Sequence, residues 1–111
     1  MGKRLRRKLN QISEKSKIVG DVRGLGLLNG VEIEQEGQPA QALAHKVVFA
    51  SWQRGLLLYY LGLYGNTLII APPLVINQTE IDAGAARLSD AILAVERGEI
   101  HDKDIEEFKA W

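Results

Sequence analysis

Apolar residues are densest between positions 56 and 76, where the chain reads LLLYYLGLYGNTLIIAPPLVI. Gly65-Asn66 interrupts this run and favours a tight turn, because both residue types tolerate a positive φ angle. The flanking segments, Leu56–Leu61 and Thr67–Ile70, are too short and too rich in aromatic and β-branched residues to be helices. The pattern therefore predicts a buried β-hairpin.

Both arms of this hairpin are apolar at successive positions rather than at alternate ones. Strands with this pattern are usually buried on both faces, so we expect helices on both sides of the sheet. Pro72-Pro73 should end the second strand, because proline has no backbone N–H to donate to a neighbouring strand.

Two segments before the hairpin have apolar residues at helical spacing. Lys3–Ser13 combines a narrow apolar stripe with basic residues on its other faces, which indicates an amphipathic helix. Ala40–Arg54 has a wider apolar stripe. Pro39 suits the first position of this second helix, and Gly55 suits its C-terminal end.

A third amphipathic helix follows the hairpin. Asn77-Gln78-Thr79-Glu80 has the sequence of a capping box, and Gly98 is suited to end the helix that it opens. The remaining tail, Glu99–Trp111, is acidic and contains two large aromatic residues. We expect Phe108 and Trp111 to dock on an apolar surface, although a flexible tail is the alternative.

Between the first two helices, Ile18–Arg23 and Leu27–Ile33 have the composition of strands joined by Gly24-Leu25-Gly26. The glycines do not form a dinucleotide-binding motif, because Gly30 falls one position too late and no βαβ unit surrounds it. The predicted fold class is α+β, with a small, mainly antiparallel sheet of three or four strands and helices packed on it.

Composition and charge narrow the possible functions. The 111 residues suffice for a single domain, and 14 basic residues balance 14 acidic ones, so we expect no nucleic-acid partner. There is no cysteine, and His45 has no second histidine near it in the sequence, so we expect no metal site. No uninterrupted apolar run is long enough to span a bilayer, so we expect a cytoplasmic protein that does not bind membranes.

Two ordered motifs resemble those of a known family. Gly65 to Ile76, followed by Glu80-Ile81-Asp82, is similar to the closing segment of the class III aminotransferases, the pyridoxal 5′-phosphate (PLP) enzymes that include ornithine and 4-aminobutyrate aminotransferases. Val19 to Leu27, followed by Gly30-Val31-Glu32, resembles the other C-terminal signature of that family. The resemblance covers nearly the whole chain but only the last quarter of such an enzyme. It implies the C-terminal small domain of a fold-type I aminotransferase.

In the resembling family, the lysine that bonds PLP and the groups that hold the cofactor belong to the large domain. The resemblance therefore implies no catalytic and no cofactor-binding residue in this chain alone. Its implied partner is the large PLP-binding domain of the same enzyme. We expect the isolated chain to be inactive.

The resemblance also implies a substrate-binding position. The family has an arginine on the strand before Ala-Pro-Pro, where it holds the substrate carboxylate, and this chain has Ile69 there. The parent enzyme is then expected to use an amino donor without a carboxylate at that point, or to recruit an arginine from elsewhere. Tyr59 and Tyr60 lie near the expected active-site mouth, and either one is a candidate for substrate contact or for packing.

Three functions follow from these observations. The first is a fragment of an aminotransferase that moves an amino group from a small amine or ω-amino acid to a 2-oxo acid. The second is a free-standing, non-catalytic interaction domain, and the third is a racemising or decarboxylating relative on the same scaffold. We also expect the chain to form a homo-oligomer or to aggregate at high concentration, because the apolar hairpin and the aromatic tail offer more apolar surface than a few helices can cover.

Overall fold

The computed structural model describes residues 2–25, 28–56, 58–61, 66–70 and 77–108. Helices and strands alternate irregularly along the chain, as in an α+β fold. The described helices, α1 to α4, span Gly2–Lys15, Gln41–Gln53, Gln78–Glu96 and Asp102–Phe108. The described strands, β1 to β5, span Val19–Leu25, Leu28–Gln35, Gln38–Pro39, Tyr59–Leu61 and Thr67–Ile70.

The strands form one antiparallel sheet in the order β1-β2-β5-β4, with the short β3 paired to β2. The sheet agrees with the predicted architecture of a few antiparallel strands. The predicted hairpin is also confirmed, since β4 pairs with β5, and its turn at 62–65 lies outside the described residues. The expected end of β5 at Pro72-Pro73 likewise falls outside them.

The core lies between one face of the sheet and the helices. Helices α1 and α2 pack on the sheet, α3 packs against α1 and α2, and α4 packs against α2. Burying apolar side chains in this layer is the main force that stabilises the fold. The largest fully buried apolar side chains are Leu9, Val31, Ile33, Val47, Leu68, Ile81 and Ile92.

Local sequence signals fix the ends of α3. The Asn77 side chain accepts a hydrogen bond of 2.8 Å from the Glu80 N–H, and the Glu80 carboxylate accepts one of 3.2 Å from the Asn77 N–H. This is the predicted capping box, which satisfies two backbone donors that a helix leaves unpaired. At the other end, Gly98 takes a φ of +74°, which costs glycine little and ends the helix.

The start of α2 differs from the prediction. Pro39 is not the first helical residue but the end of β3, and the helix begins at Gln41. The reason is a two-residue turn at Glu36 and Gly37, both with positive φ, which folds β3 back onto β2. The sequence did not indicate this turn, since glutamate rarely adopts positive φ.

An ion pair joins α1 to α3. The Arg4 guanidinium donates two hydrogen bonds to the Asp82 carboxylate, at 3.0 and 2.7 Å. These bonds lower the pKa of the Asp82 carboxyl below its ordinary value. A two-pronged contact of this kind fixes orientation as well as distance between the two helices.

The acidic tail continues the fold rather than leaving it. Ile100 and Ile105, before and within α4, are both buried in the core. The side chain of Phe108 and all of Trp111 lie outside the described residues, so their expected docking stays a prediction.

In the described ranges, no helix is both long enough and apolar enough to cross a lipid bilayer.

Candidate functional site

The prediction that helices cover both faces of the sheet is wrong for the residues that the structure describes. In the part of the chain that the structure describes, the helices lie on one side. The polar side chains of Asp21 and Arg23, which are exposed, and of Glu32 and Thr67, which are partly exposed, belong to the other side, because they alternate with core residues along their strands. We call these four residues, with Gly30 and Ile69, the open face.

The strand register builds a row across this open face. Leu68 is fully buried, so its neighbour Ile69 belongs to the opposite side, where it is half-buried. Ile69 lies opposite Gly30 on β2 and Tyr59 on β4. Gly30 in turn lies opposite Arg23 on β1. Directly opposed residues share a face, so Arg23, Gly30 and Ile69 form one row.

Gly30 has no side chain and therefore leaves a depression between Arg23 and Ile69 on the open face. A Cβ atom at position 30 would lie 3.3 Å from Cγ2 of Thr67, closer than ordinary contacts. A larger residue would therefore press on the threonine methyl group as well as fill the space between Ile69 and Arg23. The glycine keeps the apolar side chain accessible from the side of β1.

Arg23 is held by two carboxylates. Its Nε lies 3.3 Å from an Asp21 oxygen, and its Nη2 donates to Glu32 in a short ion pair. One guanidinium and two carboxylates give this cluster a formal charge of −1. The cluster is partly exposed, so water screens it and its net contribution to stability is small.

The two tyrosines that the sequence singled out fall in different rows. Tyr59 pairs with Ile69, and Tyr60 pairs with the buried Leu68. The side chains of both tyrosines lie outside the described part of the structure. The register nevertheless assigns Tyr59, and not Tyr60, to the row of the open face.

The described lysines lie on helices or before β1. Lys8 lies 3.8 Å from Asp82, and Lys46 forms a 2.9 Å ion pair with Asp102. The other lysines within the described ranges are on α1, on α4 or in the segment before β1, and none is on a strand. That the isolated chain has no PLP-bonding lysine stays a prediction of the sequence.

Sequence reasoning did not single out Arg23 or Glu32, although both lie within the motif that resembles the family. Opposite charges at diagonal positions of a hairpin attract each other across the strands. The pairing of Arg23 with Glu32 follows from the β1–β2 register. That register could be predicted only by knowing that β1 extends to Leu25, opposite Leu28.

Comparison with known proteins decides the family. Residues 1–92 match the family model described as Aminotransferase class-III. This chain belongs to the class III aminotransferases. The resemblance that the two motifs carried is thereby confirmed, and an unrelated interaction domain is not favoured.

Curated relatives include aminotransferases and racemases. The chain is 32% identical over 114 residues to a leucine/methionine racemase of Thermococcus litoralis, covering all of this chain and 25% of the racemase. It is 36% identical over 97 residues to the 5-aminovalerate aminotransferase DavT of Pseudomonas putida, covering 86% of this chain and 23% of that enzyme. The chain thus spans about a quarter of the length of these relatives.

Solved structures of a transaminase and of a phospholyase share the fold. A transaminase from the marine bacterium Virgibacillus superposes with a TM-score of 0.80 at 33% identity, covering 87% of this chain and 24% of that one. A phospholyase from Arthrobacter, solved with phosphoethanolamine, gives the same TM-score and identity, covering 84% of this chain and 23% of that one. These similarities confirm the predicted α+β domain of aminotransferase type.

Proposed function

We propose that residues 1–111 form the C-terminal small domain of a PLP-dependent aminotransferase. The parent enzyme would transfer an amino group from a small amine or ω-amino acid to a 2-oxo acid. Family membership supports the class of reaction, and the quarter-length match supports a large partner domain. The name of the DavT relative, a 5-aminovalerate aminotransferase, supports an ω-amino acid among the candidate donors.

The observation that carries the donor preference is the place of Ile69. It lies on the open face, in one row with Gly30, at the position where the resembling family has an arginine. A sec-butyl side chain cannot donate the paired hydrogen bonds by which a guanidinium holds a carboxylate. A donor that places a carboxylate over Ile69 would lose its hydration without gaining a partner.

Tyr59 is the better supported of the two tyrosine candidates for substrate contact. It pairs with Ile69, whereas Tyr60 pairs with a residue of the core. Both remain proposals, since the structure does not describe their side chains.

The cofactor belongs to the large domain in this proposal. PLP supplies the electron sink of the reaction when it is bound there, and the residues of this chain contribute to the substrate side only. We therefore expect the isolated chain neither to bind PLP covalently nor to catalyse transamination. Borohydride reduction after PLP addition, with mass mapping of lysines, tests this, and one stoichiometrically labelled lysine would overturn it.

The donor preference is tested by Ile69→Arg in the full-length enzyme. The ratio of kcat/KM for a carboxylate-bearing donor to that for its matched amine should rise about tenfold or more, the size of a charged hydrogen bond. Ile69→Leu is the control, because it keeps the site apolar and should leave the ratio nearly unchanged. An unchanged ratio in Ile69→Arg, with the variant folded and active, would refute a role for this position.

Amino-acid racemisation is the second candidate, and two relatives favour it. Besides the Thermococcus protein, an alanine/serine racemase of Pyrococcus horikoshii is 35% identical over 97 residues, covering 86% of this chain and 20% of the racemase. A racemase removes and returns one proton and needs no second substrate, whereas an aminotransferase needs a 2-oxo acid. Incubating the full-length enzyme with a single L-amino acid and no 2-oxo acid, followed by chiral chromatography, distinguishes the two.

Oligomerisation and cytoplasmic location stay predictions of the sequence. A large open face supports association with another surface, whether the large domain or a second copy. Sedimentation of the 111-residue chain over a concentration series tests self-association, and fractionation of the full-length protein tests location.

A further inference from the structure

The depression at Gly30 is open above and apolar on its β5 side. Apart from the chain neighbours of Gly30, the only described atom within 4 Å of a Cβ built at this position is Cγ2 of Thr67, at 3.3 Å. The half-buried Ile69 lies directly opposite Gly30 and presents its sec-butyl side chain on the same face. A methyl group and a branched alkyl group therefore border the depression along β5.

The floor of the depression has no free polar group. At Gly30, β2 is paired with Arg23 of β1 on one side and with Ile69 of β5 on the other. The backbone N–H and C=O groups of a strand point towards the neighbouring strands, in the plane of the sheet. A group seated on Gly30 thus meets only its Cα atom, which favours an apolar group over a polar one.

The guanidinium of Arg23 is held to one side of the depression. Its partners are Asp21, two residues before it, and Glu32, two residues after Gly30. Because β1 and β2 are antiparallel, both carboxylates lie on the same side of the row that crosses the open face. No atom of Arg23 comes within 4 Å of a Cβ built at position 30, which agrees with this placement.

The width of the depression follows from the spacing of the strands. Neighbouring strands lie about 4.8 Å apart, so the side chains of Arg23 and Ile69 start about 4.8 Å to either side of Gly30. Non-bonded carbon atoms approach each other to about 3.5–4.0 Å. The gap thus accepts one layer of atoms, such as a flat ring on its edge or an unbranched alkyl chain. A group that is thick in the direction of the row does not fit.

We propose that this depression receives the apolar substituent of the amino donor, and that Gly30 sets the thickness of the substituent that the parent enzyme accepts. The inference rests on the proposed function, because it requires the open face to lie on the substrate side. Within that function it names a class of donor, amines with a flat aromatic or unbranched alkyl group. Contact with Ile69 and the Thr67 methyl group would remove apolar surface of such a donor from water, which favours its binding.

Gly30→Ala in the full-length enzyme tests the role of the glycine. With pyruvate as the 2-oxo acid, the ratio of kcat/KM for 2-phenylethylamine to that for ethylamine should fall about tenfold or more, because the added methyl group occupies the place of the ring. Gly84→Ala on α3 is the matched control, since its added Cβ meets no described atom within 4 Å and should leave the ratio unchanged. A ratio that stays unchanged in Gly30→Ala would overturn the proposal.

The unaltered enzyme gives an answer even if Gly30→Ala fails to fold. It should use 2-phenylethylamine at least tenfold better, by kcat/KM, than 2-cyclohexylethylamine, whose puckered ring is thicker than one layer of atoms. In both donors the ring is separated from the reacting carbon by a methylene group, so the comparison reports the fit of the ring. Equal values for the two donors would rule out a narrow depression at the substrate.

Ethylamine separates this inference from the proposed function. It has no group large enough to reach across the depression, so transfer of its amino group to pyruvate tests the proposed function alone. If the wild type uses no amine donor, the proposed function is refuted and this inference with it. If the wild type uses ethylamine but Gly30→Ala leaves the donor ratio unchanged, only the inference is refuted.

Discussion

Replacing Ser16 by alanine should destabilise the chain more than its partly buried position suggests. The Ser16 hydroxyl donates a 2.6 Å hydrogen bond to the Glu96 carboxylate at the end of α3. It also accepts hydrogen bonds from the N–H groups of Ile18 and Val19, at 3.1 and 3.2 Å. One small side chain thus connects the end of α1, the start of β1 and the last turn of α3.

The magnitude follows from these three bonds. A bond to a charged group contributes about 1.5–3 kcal/mol, and a bond between neutral groups about 0.5–1.5 kcal/mol. The two longer bonds are weaker, and water reaches part of the site after the substitution. The Lys17 N–H still donates to the same Glu96 oxygen, at 2.7 Å, so the carboxylate keeps one partner. We expect a loss of about 2 kcal/mol in the free energy of unfolding.

Thermal unfolding followed by circular dichroism measures the effect. A loss of about 2 kcal/mol corresponds to a fall in Tm of roughly 8–12 °C for a chain of this size. Ser89→Ala is the control, because Ser89 on α3 is half-buried like Ser16 but makes no hydrogen bond through its hydroxyl within the described residues. If the two variants unfold within 2 °C of each other, the hydroxyl at position 16 does not hold the three elements together.

Three further predictions concern the helices. Asp82→Asn should remove a stabilisation that the wild type has above about pH 4 and loses as the pH falls, because the hydrogen bonds from Arg4 lower the pKa of Asp82 in the folded state; unfolding curves from pH 7 to 2 should converge with the wild type at low pH, and an equal difference in stability at both ends of that range would contradict this. Gly84→Ala should stabilise the chain by about 0.5–1 kcal/mol, since a Cβ atom there meets no atom within 4 Å and alanine favours the helix; a lower denaturation midpoint would contradict this. Asn77→Ala should cost about 1 kcal/mol through loss of the cap, and faster amide hydrogen exchange in the first turn of α3 would locate the loss there.

The elements that local signals define were predictable from the sequence. The capping box at Asn77 and the terminating Gly98 act through neighbours four residues away or fewer, so a single sequence contains the whole signal. The start of α2 was missed because it depends on β3 pairing with β2. Two residues of strand, Gln38–Pro39, have no pattern of their own, and their pairing becomes visible only with the positive φ angles of the turn before them.

The candidate site was predictable only in part for the same reason. The motif around Ile69 identified the position, but nothing local to it indicates that Gly30 and Arg23 lie beside it. Those contacts depend on the register between strands about 40 residues apart in the chain. The expectation of helices on both faces was wrong because successive apolar residues in β5 suggested burial on both sides, while the charged residues that mark the exposed side lie on β1 and β2.

The open face is divided along its width. The charged cluster of Asp21, Arg23 and Glu32 lies over β1 and β2, whereas Thr67 and Ile69 lie on β5, one strand from the other edge. A surface that covers this face can expel water completely only above β5, because the ions over β1 and β2 lose more by dehydration than contact returns. The contact should therefore be dry above β5 and hydrated above β1 and β2.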